Sequence, residues 1–195
     1  SAENNEFKKF TCPKNIKTWD KNEGIYMKEV FSELFQFRGS HYDFGYYQGE
    51  KLLNSFILPN REKQWASRKK RHFYVEKDKA LDVIRHFLPS LIDELFGLAD
   101  ALHMTFEEAL VDFGGYYLEY RRSGCSIFTS TDYMIRNYDN HPISYEGRYM
   151  LYQPTDSGYA SIGPTMQITG RTDGLNEKGL AMGYNFVNRL HSGDG

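Results

Sequence analysis

The chain has 195 residues, 40% hydrophobic and 16% aromatic, enough for one globular domain with a sizeable core. A net charge of -2, from 24 basic and 26 acidic residues, gives no global field toward nucleic acid or a membrane surface, and no run of about 18 apolar residues offers a membrane-spanning helix. Two cysteines, Cys12 and Cys125, cannot make a disulfide framework, so a reduced, cytoplasmic compartment is expected; no Cys-x-x-Cys or His-x-x-x-His frame calls for a metal.

Residues 1–24 are polar and poorly periodic and read as an irregular lead-in, without the basic-then-apolar order of a signal peptide. Imperfect alternation over Ile25 to Phe37 predicts a first strand. Ser40 is placed as an N-cap with Asp43 three residues on, opening a helix on which Gly45 and Gly49 share one face. Each glycine lowers helix stability by roughly 0.8–1 kcal/mol against alanine, so the pair points to close approach of another backbone. Arg61 to His72 is a basic cluster, read as a solvated face.

From Val75 to Leu102 the steps of three and four between Leu81, Ile84, Leu88, Leu91, Leu95 and Leu98 predict helix, with Pro89 starting a new one or kinking it. Thr105-Phe106-Glu107-Glu108 is a capping box for a helix to about Tyr120, weakened at Gly114-Gly115. Residues 1–124 are therefore mainly helical. Beyond Cys125, short alternating runs at Tyr149–Tyr152, Tyr159–Ile162, Thr165–Arg171 and Gly179–Asn185 predict an antiparallel sheet. Residues 125–195 form the β-rich part of the same structural domain, and the class is α+β.

The junction carries the chemistry. Ser123 to Phe128 and Tyr133 to Asp139 read as a hairpin whose turn residues are Thr131 and Asp132, which sets Ser130 opposite Tyr133 and Cys125 opposite Tyr138. Arg136 and Asp139 then lie near the sulfur but on opposite faces of a regular strand, so a bulge or a strand end is needed for both to reach it. None of His41, His72, His86, His103, His141 and His191 sits in a cysteine-protease frame. Cleavage of the Gly124–Cys125 bond supplies another base, an α-amine of intrinsic pKa about 7.7–8.0 on the nucleophile's own residue. Glycine before the cysteine suits self-cleavage, Arg136 is suited to stabilise a thiolate, and Asp139 to orient the amine. Further on, Thr172 to Phe186 reads as strand, turn and strand, and Asn185 is able to donate to a developing oxyanion, an interaction typically worth ~3–4 kcal/mol of barrier.

Taken together, Gly124-Cys125-Ser126, Arg136-Asn137-Tyr138-Asp139 and Asp173-Gly174-Leu175-Asn176-Glu177-Lys178-Gly179-Leu180, with Asn185, resemble the choloylglycine-hydrolase and penicillin-acyltransferase-like group of N-terminal-nucleophile amidohydrolases, which act on linear amide bonds. Gly39 to Gly49 resembles the lead segment of the acyltransferase branch, which carries a pro-region before its cysteine. The resemblance implies Cys125 as nucleophile and N-terminal base, Gly124 on the scissile side, Arg136 against the thiol, Asp139 on the α-amine and Asn185 in the oxyanion hole. It also implies an αββα sandwich, incomplete in this chain, with the remainder of the β part expected elsewhere, no cofactor, and a small-molecule acyl-amide as substrate; a homo-oligomer is left open. The other readings are an acyltransferase passing the acyl group to an amine, a thiol hydrolase using His141 or His103, and a non-catalytic interaction domain on the same scaffold.

Overall fold

The computed structural model describes residues 16–19, 25–28, 32–53, 55, 57–58, 76–114, 124–139, 145–166 and 168–185. The fold is mixed α+β. In chain order it comprises β1 (Ile16–Trp19), β2 (Ile25–Lys28), β3 (Glu33–Gly39), α1 (His41–Leu53), α2 (Lys77–Phe87), α3 (Ser90–Leu102), α4 (Phe106–Phe113), β4 (Gly124–Thr129), β5 (Met134–Asp139), β6 (Arg148–Pro154), β7 (Ser161–Met166), β8 (Gly170–Arg171), β9 (Asp173–Asn176) and β10 (Ala181–Gly183). The main sheet runs β10-β9-β7-β6-β3, with β8 also pairing β7; β1–β2 and β4–β5 are separate antiparallel pairs.

Alternation along β3 and β6 sorts the sheet's two faces. Phe35, Phe37, Met150 and Tyr152 meet Phe44 and Tyr47 of α1, with the Phe44 and Tyr152 rings stacked at 3.9 Å. On the other face Leu34, Tyr149, Ile162 and Leu175 stay exposed. A second cluster, Leu52, Leu95, Leu98, Leu110, Phe113 and Ile168, holds the helices together.

The α1–α3 contact is set by glycines. A Cβ on Gly45 would lie 1.9 Å from the Glu94 carbonyl oxygen, and one on Gly97 would lie 1.9 Å from that of Tyr42. Gly49 faces Ala101, whose Cβ would be 2.5 Å from its own. The expected close approach at Gly45 and Gly49 is thus present, with Gly97 as its counterpart. Ser40 does cap α1: its Oγ accepts from the Asp43 N–H at 3.1 Å and donates to Asp43 Oδ2 at 2.7 Å. The capping box at Thr105 and Glu108 is also formed.

Several sequence expectations are corrected. Part of the lead-in is a strand, β1, which takes β2 as its partner, so Ile25 to Phe37 is not one strand. The pairing of β3, which the sequence did not address, is parallel to β6. The helix expected to reach Tyr120 ends at Phe113 with Gly114 as C-cap. Pro89 does start a new helix, as expected, but Leu88 just before it is exposed despite its place in the apolar period. Finally, Thr165–Arg171 is two strands split by a turn at Ile168, whose φ is +71° and whose N–H is held by Glu146 Oε1 at 3.0 Å. The cluster Arg61 to His72 lies outside the described residues.

Glu94 is buried on α3 beneath Gln48, whose Nε2 donates to its Oε1 at 2.6 Å. Loss of water raises its carboxyl above the ordinary value, against the opposing pull of Arg171, the Gln48 hydrogen bond and His41. A carboxyl raised in the fold contributes stability that is full below its unfolded pKa and is lost as pH rises through the folded value. Glu94→Gln, with no charge to bury, should therefore gain stability relative to the parent as pH is raised from about 4 to about 8, read by urea unfolding across that range. Gly45→Ala should destabilise by about 1–3 kcal/mol or more, since backbone must move. The exposed neighbour Glu50→Ala should stay within about 0.5 kcal/mol in the same assay.

Candidate active site at the β4–β5 hairpin

Chemistry-bearing side chains converge where the β4–β5 hairpin meets the β9–β10 edge of the sheet. The hairpin register is the one its turn dictates: Ser130 N–H donates to the Tyr133 carbonyl at 2.8 Å, and Cys125 pairs with Tyr138. Alternation sends Cys125, Ile127, Met134, Arg136 and Tyr138 to the less exposed face, while Ser126, Phe128 and Ile135 face out.

Gly183 lets the two layers touch. A Cβ there would meet Ile127 Cδ1 at 3.0 Å, Arg136 Cδ at 3.3 Å and Met134 Sδ at 3.4 Å. Across that contact the Arg136 guanidinium is fully engaged. Its Nη1 donates to Asp173 Oδ2 at 2.8 Å, its Nε donates to the Tyr184 carbonyl at 2.9 Å, and Nη2 donates to the same carbonyl. Nη2 also lies 3.9 Å from Cys125 Sγ, at the long end of an N–H···S contact. The guanidinium stacks over the Tyr138 ring at 4.6 Å. Only 4% of the Arg136 side chain is exposed, against 26% of Asp173. Cys125 is half-buried and free, not sealed in hydrocarbon.

Asp173 reaches Arg136 because the sheet bulges. Strand β7 pairs with β8 at Thr165↔Arg171 and with β9 at Ile162↔Leu175, so Thr172, Asp173 and Gly174 stand opposite Gly163 and Pro164 alone. One extra residue turns the strand over by one face. Arg171 therefore points to the helices, where its guanidinium lies 6.0 Å from the Phe44 ring and Nη1 donates to the Gly170 carbonyl at 2.8 Å. Two residues later Asp173 points to the hairpin. Gly163 makes room, since a Cβ there would lie 2.4 Å from the Asp173 carbonyl oxygen.

The Tyr184 phenol is pushed above its ordinary value, first by loss of water and then by the Cys125 sulfur, which places that ring in the same neighbourhood. Asn185 follows it, with its Oδ1 buried and without a hydrogen-bond partner among the described residues. A pocket of about 370 Å³ opens beside the cluster, lined by Asp173, Gly183 and Tyr184 together with Ile162, Leu175 and Met182; Cys125 is not part of its lining.

Of the sequence-derived site residues, Cys125 and Arg136 are brought together and Asn185 follows Tyr184, whose carbonyl clamps the guanidinium. Asp139 pairs in register with Gly124, without the bulge the sequence reading asked for, and its side chain lies outside the described residues. Of the histidines considered as bases, His103 is the left-handed C-cap of α3 with φ +55°, and His141 lies outside the described residues. Sequence reasoning missed Asp173 and the Tyr184 carbonyl; the motif around Asp173 was noticed, but nothing in it announces a partner 37 residues earlier. Among the described residues no cluster of His, Cys, Asp and Glu is arranged to hold a metal ion, and no helix is long and apolar enough to cross a membrane.

Two comparisons with known proteins bear on this site. A family model described as acyl-coenzyme A:6-aminopenicillanic acid acyl-transferase matches residues 128–195, a span that begins just after Cys125 and contains Arg136, Asp139, Asp173 and Asn185. A search of curated proteins finds no match.

Arg136→Met should expose what the guanidinium holds. Removing one partner of a buried ion pair costs about 3–5 kcal/mol. With a quarter of Asp173 open to water, the expected loss is roughly 1–3 kcal/mol in urea unfolding.

Proposed function

We propose that the protein is an N-terminal-nucleophile cysteine enzyme that breaks a linear, non-peptide amide and passes the acyl group to water or to an amine. The observation that carries this reading is the Arg136 Nη2 contact with a half-buried, free Cys125 that directly follows Gly124. The similarity over residues 128–195 to an acyltransferase family supports acyl chemistry at an amide.

In this reading Cys125 Sγ attacks the Gly124 carbonyl carbon and the Cys125 nitrogen takes up the thiol proton as the peptide C–N bond breaks. Water hydrolyses the resulting thioester, freeing Gly124 as a carboxylate and Cys125 as a residue with its own α-amine. That amine accepts the thiol proton during attack on substrate, because its intrinsic pKa of about 7.7–8.0 matches neutral conditions. Sγ adds to the amide carbon, the amine returns the proton to the leaving nitrogen, and a thioester on Cys125 remains for water or a second amine. Arg136 Nη2 donates to the thiolate and Asn185 donates to the oxyanion; for Asp139 to hold the α-amine, the end of β5, which runs in regular register to Gly124↔Asp139, has to turn over once Gly124 is released.

The exposed sheet face of Leu34, Tyr149, Ile162 and Leu175, with the hairpin seated at its β10 edge, suits an αββα sandwich in which the hairpin begins the second sheet. Residues 1–124 then act as the pro-segment of a zymogen, and the part beginning at Cys125 carries the nucleophile.

Mass spectrometry of the protein after prolonged incubation tests this. The expected result is two fragments divided between Gly124 and Cys125, a single intact chain for Cys125→Ala, and an acyl adduct on Cys125 when the cut protein meets an activated amide. An intact parent chain that also forms no adduct would rule the reading out.

A further inference from the structure

Arg136 does not offer Cys125 an unbalanced positive charge. Before Nη2 reaches the sulfur at 3.9 Å, Nη1 is committed to the Asp173 carboxylate at 2.8 Å, and Nε and Nη2 are committed to the Tyr184 carbonyl. With 4% of the Arg136 side chain exposed, solvent ions cannot take over that balancing role, so the compensating charge has to come from the protein. The bulge at Thr172–Gly174 brings Asp173 there; the absence of a side chain at Gly163 lets the two backbones approach, and at Gly183 it leaves room for the side chains of Ile127, Met134 and Arg136. This costs the sheet one unpaired residue, which is a feature to be explained and not a detail.

We propose that Asp173 is the positioning and specificity-determining residue of this site: it fixes the Arg136 guanidinium with Nη2 toward Cys125 and cancels its charge, so that the sulfur receives neutral acyl groups and discriminates against anionic ones. The substrate class that follows is an amide whose acyl part is uncharged next to the scissile carbonyl. A lone guanidinium this close to the sulfur would instead gather carboxylates, since opposite charges a few ångströms apart in a poorly solvated site attract strongly. The inference deepens the proposed function and rests on Cys125 as its reacting group.

The test uses the full chain and two small alkylating reagents of nearly equal shape, neutral iodoacetamide and anionic iodoacetate. They are supplied together and their adducts are counted on the Cys125 peptide by mass spectrometry. Asp173→Asn keeps the shape and removes the charge; it should raise the carboxymethyl share at least threefold over the parent. Asp173→Glu, which keeps the charge, should retain the parent share. Adding Arg136→Gln to Asp173→Asn should take the rise away. An unchanged share in Asp173→Asn overturns the proposal, as does a rise that survives loss of Arg136; a merely loosened fold speeds both reagents together and leaves the share where it was. Should circular dichroism find Asp173→Asn unfolded, Asp173→Ser takes its place with the same expectations. Alkylation needs neither chain cleavage nor turnover. An uncut, inactive chain that gives the rise therefore overturns the proposed function and upholds the role of Asp173, whereas a cut, active chain with an unchanged share does the reverse.

Discussion

A guanidinium shut away from water must find acceptors before anything else in its surroundings can be arranged, because an uncompensated buried charge costs a large part of a domain's margin of stability. Arg136 meets that demand with acceptors from outside its own hairpin: a carboxylate on β9 and a carbonyl just past β10. The hairpin is therefore held to the sheet edge by a directional polar clamp. Apolar contact from Ile127 and Met134 onto Gly183 adds to it but does not fix orientation, since dispersion is non-directional and the hydrogen bonds are not. The position of Cys125 follows from the clamp, two residue pairs beyond Arg136 along the ladder and on the same face.

The other side of the sheet is governed by a different constraint, the closeness of two helix backbones. Gly45 and Gly97 each sit where the partner helix's carbonyl leaves no space for a methyl group, so α1 and α3 approach until backbone meets backbone. That approach brings Gln48 over Glu94 and aligns Phe44 and Tyr47 against the aromatic residues of β3 and β6. The two sides meet at β7, whose neighbours β8 and β9 place Arg171 on one face and Asp173 on the other.

What could be read from the sequence was whatever is decided within a few residues. The hairpin register followed from a two-residue turn and a count, and it held as far as Gly124↔Asp139. The cap at Ser40, the capping box at Thr105 and the packing glycines were legible for the same reason: each is a local arrangement with its own stereochemical signature. The parallel pairing of β3 with β6 was not legible, because it joins segments remote in sequence, with helices and the β4–β5 hairpin between them. Nor was the end of α4 at Gly114, where the apolar period continued but the backbone stopped. At the site, the hairpin count was enough to bring Arg136 near Cys125, while their roles rested on the resemblance. Asp173 could not be placed there, since its partnership depends on sheet pairing between segments remote in sequence.

The bulge shows why such a partner escapes an alternating pattern. In a regular strand Arg171, Asp173 and Leu175 would share one face, and an observer counting by twos would send all three the same way. The inserted residue breaks that count, so that Arg171 is spent on the helix layer against Phe44 while Asp173 and Leu175 turn to the hairpin side. A one-residue change in pairing thereby assigns two charged side chains to two different layers. Without it, the carboxylate would face the apolar stack of Phe44 and Tyr152, and the guanidinium beside Cys125 would lack its counter-charge. The polarity of the site is decided by backbone pairing, upstream of any choice of side chain.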